Sequence, residues 1–148
     1  MKIWVDADAC PKVIKDMLFR VAERTKTEVT LVTNQPLRLG GLPFISLVQV
    51  EHGPDVADDE IVKLCSAGDL VVTADIPLAA RVVEKGAHAL DPRGRMYGRE
   101  NIKEILALRD FMDSLRGSGE AMGGSGGFGQ RERQAFANEL DRFIARGR

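Results

Sequence analysis

The sequence predicts an α/β fold: a three-layer α/β/α sandwich around a mostly parallel sheet of about five strands. Three observations predict it. Short apolar runs of strand length alternate with stretches of helical periodicity. Glycine and proline punctuate the junctions, where they stop one element or start the next. The order of the segments is strand, helix, strand, strand, helix, strand, helix, strand, which favours parallel strands joined by right-handed crossovers.

The first strand is expected at Ile3 to Val5, in "MKIWVDADACPK". The first helix starts at Pro11, which has no N–H to leave unpaired, and Val13, Ile14, Met17, Leu18, Val21 and Ala22 make its apolar stripe. Strands follow at Glu28 to Thr33 ("EVTLVT") and Phe44 to Val50 ("FISLVQV"). A short helix over Val56 to Ser66 is stopped by Gly68, and "LVVT" at Leu70 to Thr73 reads as the fourth strand. In "IPLAARVVEKG" Asp75 is a candidate N-cap, Pro77 lies in the first turn and Gly86 terminates. "AHAL" at Ala87 to Leu90 is the fifth strand. A longer helix from about Arg99 to Leu115 turns Ile102, Ile105, Leu106, Leu108 and Met112 inward.

After Arg116 the composition changes to "GSGEAMGGSGGFGQ", which cannot bury a core. The expectation is one domain over residues 1–148, with a glycine-rich mobile loop at about 117–129 serving as lid or tether. A last helix at about 130–146 docks through Phe136, Leu140, Phe143 and Ile144. A chain of 148 residues buries roughly 68 to 70% of the surface it exposes when unfolded, so it needs neither disulfide nor structural metal.

Charge and composition leave partners open. With 21 basic and 22 acidic residues the net charge is −1, so nucleic-acid binding would need a local basic patch. No apolar run approaches the roughly 18 to 20 residues of a membrane span. Cys10 and Cys65 have no ligand-pair spacing, and Asp6 interrupts the N-terminal apolar stretch before it can serve as a signal. The sequence reads as that of a reduced, cytoplasmic protein.

In an open parallel sheet, ligands bind outside the carboxyl ends of the strands. Asp6 and Asp8 follow the first strand there, Asn34 and Gln35 the second, "EHGPDVADDE" the third, Asp75 the fourth and "DPRGR" the fifth. On a strand continuing past Val5, Asp6 and Asp8 would project the same way. Four or more carboxylates on one rim repel by on the order of 1 to 4 kcal/mol per pair at ~4 Å, which a divalent cation would offset. Oxygen ligands without nearby His or Cys favour Mg²⁺ or Mn²⁺ over zinc. Such ions facing phosphate are suited to phosphodiester hydrolysis, one activating water and another stabilising the leaving oxygen.

Each residue also has a structural reading. Asp8 and Asp75 precede helices and could be N-caps. Asp58 and Asp59 open a helix, where negative charge suits the macrodipole. Asp55 and Asp91 adjoin turn signals. Thr73 could bond a metal water or satisfy backbone, and Asn34 and Gln35 could form a turn before Pro36 or contact substrate. Lys12, Lys15, Arg38, Arg81, Arg93, Arg95 and Arg99 are each solvated charges taken alone, but together they are the candidate phosphate-contacting patch. Trp4 reads as core and Tyr97 stands alone, so base stacking on aromatic rings is not expected. Cys10 reads as packing, and His52 and His88 lack metal spacing. "GGSGGFG" is no phosphate loop, since no strand precedes it and no Lys-Ser or Lys-Thr pair follows.

Over nearly the whole chain, "WVDADACP", "VTNQ", "GPDVADDEIV", "GDLVVTADIPLA", "GRMYGRENI" and "RQAFANELDRF" resemble the bacterial YaiI/YqxD family, whose function is not established. That family in turn resembles a distant branch of the PIN-like nucleases. The second resemblance implies a parallel-sheet sandwich whose strand-end acids hold Mg²⁺ or Mn²⁺. It carries Asp6 to the acid ending the first strand, Asp58 or Asp59 to the acid on the middle helix, and Asp75 to the acid of the "TAD" segment. Asp8 becomes an accessory ligand. Asp91 would be the fourth acid, but "DPRG" departs from the PIN-like pattern, which puts a second metal in doubt.

The expected function is therefore a Mg²⁺- or Mn²⁺-dependent nuclease-like hydrolase acting on RNA or single-stranded nucleic acid. Asp6, Asp8, Asp59 and Asp75 are its expected ligands and catalytic acids, and Asp58 is a substitute or neighbouring acid. Thr73, Asn34, Gln35, Lys12, Arg81 and Arg93 are the expected substrate contacts. Two alternatives stand beside it. One is a non-catalytic nucleic-acid or protein-binding module. The other is a haloacid-dehalogenase-like phosphatase, suggested by "VDAD" and "LVTNQ" but weakened because Gly68 and Asp69 precede rather than follow a strand.

Overall fold

The computed structural model of the chain describes residues 1–116 and 129–147. The elements run β1 (Ile3–Asp6), α1 (Lys12–Thr25), β2 (Val29–Thr33), β3 (Ile45–Gln49), α2 (Val56–Leu64), β4 (Leu70–Val72), α3 (Ile76–Glu84), β5 (His88–Leu90), β6 (Met96–Tyr97), α4 (Ile102–Arg116) and α5 (Gln130–Arg146). The six strands form one sheet in the order β3-β2-β1-β4-β5-β6. All neighbours are parallel except β5 and β6, which pair antiparallel through Ala89 with Tyr97 and Leu90 with Met96. Strand β6 is two residues long, too short for a periodicity to reveal, and so it was absent from the expected five.

The central strands are apolar on both faces because helices cover both, as expected of a parallel sheet. Ile3, Val5, Val29, Leu31, Leu70 and Val72 face α1 and α5, where they meet Ile14, Leu18, Ala22, Phe136, Leu140 and Ile144. Trp4, Val32, Val71 and Ala89 face the opposite layer, meeting Ile61 of α2, Leu78, Ala79 and Val82 of α3, and Ile102. The result is the three-layer sandwich. Alternation along β1 then assigns Asp6 to the Trp4 face, toward α2 and α3.

Helix α5 docks as its spacing predicts, with Phe136, Leu140 and Ile144 buried. It also approaches the turn after β5 so closely that a Cβ on Gly94, whose φ is +95°, would lie 2.6 Å from Ala135 Cβ. Helix α4 departs from expectation: Ile102 is buried, but Leu108 is 59% exposed rather than inward. Among the described residues its main packing partner is α3, which covers one stripe of the helix. The glycine-rich stretch expected over 117–129 lies, apart from Gly129, outside the described residues. No described helix is long and apolar enough to cross a membrane.

Candidate functional site

From β1 the chain builds outward through β2 to β3, then α2 returns it to β4 on the other side of β1. The carboxyl ends of β1 and β4 therefore flank the switch point of the sheet, where open α/β sheets bind ligands. In dinucleotide-binding sheets a glycine-rich turn follows the first strand. Here Asp-Ala-Asp-Ala-Cys-Pro stands in its place, which would repel a bare phosphate unless a cation intervened.

Asp6 ends β1 and is 9% exposed. Its Oδ2 accepts a hydrogen bond from the buried Thr73 hydroxyl at 3.1 Å, and Thr73 Oγ1 accepts the Asp75 N–H at 3.0 Å. Burial pushes the Asp6 carboxyl above its ordinary range; the Thr73 hydrogen bond opposes the shift, while the nearby charges of Asp75 and Asp8 add to it. Asp75 is the N-cap of α3, its Oδ1 accepting the Leu78 N–H at 3.0 Å. Capping occupies one oxygen and leaves the other.

Asp58, in the first turn of α2, reaches into the same place. Its carboxyl is pushed up to about 6, first by partial burial, then by Asp75, Asp6 and Asp55, and by a hydrogen bond to Asp75. The structure thus brings Asp6, Asp58 and Asp75 together. It does not bring Asp59, the sequence reading's preferred ligand from this helix: one residue further round α2, Asp59 bonds Arg81 at 2.8 Å on the surface. Sequence offers no way to choose between adjacent acids until the helix is rotated onto its apolar stripe.

Asp8 stays near enough to Asp6 for its charge to be felt, but its carboxylate is engaged elsewhere. Rather than continuing extended, the chain turns through a single 3₁₀ turn at Ala7–Ala9, so the alternation that would have aligned Asp6 with Asp8 ends at Asp6. Asp8 instead accepts the Thr33 hydroxyl and the Asn34 N–H, the latter at 2.9 Å. It is no cap for α1, whose N-cap is Pro11. The Thr33 hydroxyl repeats the Thr73 arrangement, donating to an aspartate while accepting the N–H two residues on, from Gln35 at 3.0 Å.

The remaining expected contacts are spread along the rim. Asn34 and Gln35 bond each other at the end of β2. Lys12 opens α1 and is exposed. Arg81 is engaged by Asp59. Arg93 lies beyond β5, where its charge, after two backbone hydrogen bonds, helps hold Glu132 below its usual range. Asp91 folds back on its own turn, accepting the Arg93 N–H at 2.7 Å, and Asp55 sits in the left-handed region with φ 65°. Asp91 stays apart from the three acids, while Asp55 adds its charge to Asp58.

The family described as "Uncharacterized BCR, YaiI/YqxD family" matches residues 4–146. The chain belongs to the YaiI/YqxD family. It is 62% identical to the UPF0178 protein of Shewanella halifaxensis over 99% of this chain and 97% of that one, and 61% identical to that of Alkalilimnicola ehrlichii over the whole of both. No solved structure matches it.

Two further features of this YaiI/YqxD protein bear on the site. Arg109 of α4 shares a surface cavity of about 350 Å³ with Ala74, Asp75 and Pro77, steadied by Asp110 at 3.2 Å and Asp113 at 3.1 Å. The sequence reading missed Arg109, and no signal marks it, because its position depends on how α4 packs against α3. Asp69, by contrast, is a structural acid: it lies at the amino ends of β1 and β4, opposite the rim, and accepts N–H groups from Lys2, Trp4 Nε1 and Ser66. Both cysteines are buried, and burial pushes the Cys10 thiol up to about 12, so it serves packing rather than nucleophilic chemistry.

Among the described residues, no three acid, histidine or cysteine side chains are drawn into one coordination shell. Magnesium does not require that, since it keeps several waters and commonly takes one or two carboxylates. Burial first, and then the charges of Asp75 and Asp6, raise Asp58; the three acids are hard oxygen donors whose charge a divalent cation would relieve. In donor type and charge, the residues present fit Mg²⁺ or Mn²⁺.

Proposed function

We propose that this YaiI/YqxD protein is a Mg²⁺- or Mn²⁺-dependent phosphodiester hydrolase acting on RNA or single-stranded nucleic acid. One observation carries the reading: Asp6, Asp58 and Asp75 come together at the switch point of the sheet, where the charges of Asp75 and Asp6 add to burial in raising the Asp58 carboxyl. Crowding three carboxylates costs folding free energy, and such crowding is concentrated at functional sites.

Asp6 and Asp75 would hold the cation, with Asp58 as third acid. A bound ion would supply a water of lowered pKa and positive charge against phosphate oxygens. Thr73 fixes the Asp6 carboxylate by hydrogen bonding and steers which oxygen it presents. The Leu78 N–H does the same for Asp75. Arg109, in the cavity beside Asp75, would contact a phosphate there by exchanging its ion pairs with Asp110 and Asp113, and Arg81 would have to leave Asp59 to do the same. Asp8 is a positioning residue that joins β1 to the end of β2.

Nothing in the geometry favours the phosphatase alternative, because the Gly68-Asp69 pair it would draw on lies at the amino end of β4, away from the rim, with Asp69 bonded to three N–H groups. The test is a Mn²⁺-supplemented cleavage screen of structured and single-stranded RNA and DNA. The wild-type protein should cleave and Asp6→Asn should not; cleavage unchanged by Asp6→Asn would overturn the assignment. Nucleic-acid binding without cleavage by either protein would favour the non-catalytic module.

A further inference from the structure

The two edges of the sheet differ. At one, β6 is two residues long and offers little backbone. At the other, β3 runs in unbroken register with β2 from Ile45 to Gln49. Natural sheets blunt such an edge with a charge, a proline, a bulge or a covering element. The register of β3 contains no bulge, and no side chain from Leu39 to Val50 is charged. Ser46 and Gln49 are exposed, and Pro43 lies before the strand rather than in it. The crossover that reaches β3, residues 34–44, has no helix, unlike those through α1, α2 and α3.

The ladder fixes which backbone groups face out. Val29 donates its N–H to the Phe44 carbonyl and Val50 donates to the Thr33 carbonyl, each at 2.8 Å. In a parallel ladder the N–H and C=O of one residue point to one side and those of the next residue to the other. The even-numbered residues of β3 therefore bond β2, and Ile45, Leu47 and Gln49 direct their groups outward. The Ile45 N–H turns back to the Leu42 carbonyl at 3.4 Å. The Leu47 and Gln49 N–H groups and the carbonyls of all three are left for a further strand.

We infer that β3 is the interface of a homodimer, in which a second copy of this chain adds its own β3 antiparallel about a two-fold axis at Leu47. The outward groups are symmetric about that residue, so each meets its complement. Leu47 exchanges both bonds with Leu47 of the second copy, and the Gln49 N–H donates to the Ile45 carbonyl. The side chains agree with this register. On the α1 face Leu47 lies against its own copy and Ile45 against Gln49; on the other face Ser46 lies opposite Val48, and no like charges meet. Leu42 and Phe44, 40% and 41% exposed, lie just before the strand and extend the apolar contact. Asp16, Arg20 and Glu23 of α1, beside Leu42 and Pro43, bring charges of both signs rather than one repelling sign. Antiparallel pairing sets the two acid rims at opposite ends of the joined sheet, so neither is covered.

The test is sedimentation equilibrium of the full chain over a concentration series, where the wild-type protein should reach twice the mass of the chain. This register sets Ser46 diagonal to Ser46 of the second copy, within reach of long side chains. Ser46→Lys and Ser46→Asp should therefore each weaken the dimer several-fold, and an equimolar mixture of the two should recover it. Gln49→Pro, which removes an outward donor and leaves the β2 ladder intact, should weaken it as well. Ser46 and Gln49 are exposed, so all three variants should keep the wild-type circular dichroism, which separates a lost dimer from a lost fold. A wild-type monomer at every concentration overturns the pairing. So does a dimer that the folded variants keep at full strength, or a loss in Ser46→Lys and Ser46→Asp that mixing does not recover.

Discussion

Thr73 and Asp6 stand 67 residues apart in the chain and meet at the ends of adjacent parallel strands, where the buried hydroxyl donates to Asp6 Oδ2 at 3.1 Å. Strand alternation turns both side chains to the Trp4 face. The same hydroxyl accepts the Asp75 N–H, so one threonine fixes two of the three acids. Thr73→Val keeps the shape but leaves a carboxylate oxygen and an N–H without their partner. It should cost about 1 to 3 kcal/mol of stability, read by urea denaturation, and weaken Mn²⁺ binding by the same protein.

The acid cluster also fixes how stability changes with pH. The Asp58 carboxyl titrates near pH 6 in the folded protein, against an ordinary value of 3.8. A raised folded value means that protonation favours the fold: the contribution is fully present below 3.8 and is lost as pH rises through about 6. Asp6 is raised in the same direction. Metal-free protein should therefore lose stability from this cluster as the pH rises from about 4 to about 6, and Asp58→Asn should flatten that slope. The Asp58 share is under about 1 kcal/mol, because solvent screens so open a carboxyl. Paired thermal melts at the two pH values in EDTA measure it, and an unaltered slope in Asp58→Asn would argue against the crowding.

Asp69 supplies the contrasting case of an acid whose work is structural. It accepts from Lys2 N, Trp4 Nε1 and Ser66 N at 2.9 to 3.0 Å, tying the starts of β1 and β4 to the end of α2. Asp69→Asn should destabilise the protein by roughly 2 to 4 kcal/mol, since a buried charge-assisted acceptor is lost and donors are left poorly paired. Mn²⁺ affinity of the folded fraction should not change. Chemical denaturation and a metal titration on one preparation separate the two effects.

Much of this fold was legible in the sequence because its elements are amphipathic or fully apolar and are punctuated by Pro11, Pro77, Gly68 and Gly86. Strand β6 escaped because two residues have no period, and Leu108 was read inward because nothing local says that α4 packs mainly on α3. At the rim, the sequence pointed to Asp6 and Asp75 through their strand-end positions. It could not separate Asp58 from Asp59, since adjacent helical residues differ by about 100° and the packed stripe alone decides which one turns inward. Asp8 was read beside Asp6 on the premise of a continuing strand, which the turn at Ala7–Ala9 breaks. Arg109 came to the site only through tertiary packing.

The most direct measurement is a calorimetric Mn²⁺ titration of the wild-type protein beside Asp6→Asn, with Asp59→Asn as control, because it requires no choice of substrate. The account predicts micromolar binding by wild type, binding retained in Asp59→Asn, whose side chain is turned to Arg81, and binding lost in Asp6→Asn. Binding that survives Asp6→Asn, or none by the wild-type protein, would contradict it and leave the rim aspartates as caps and turns.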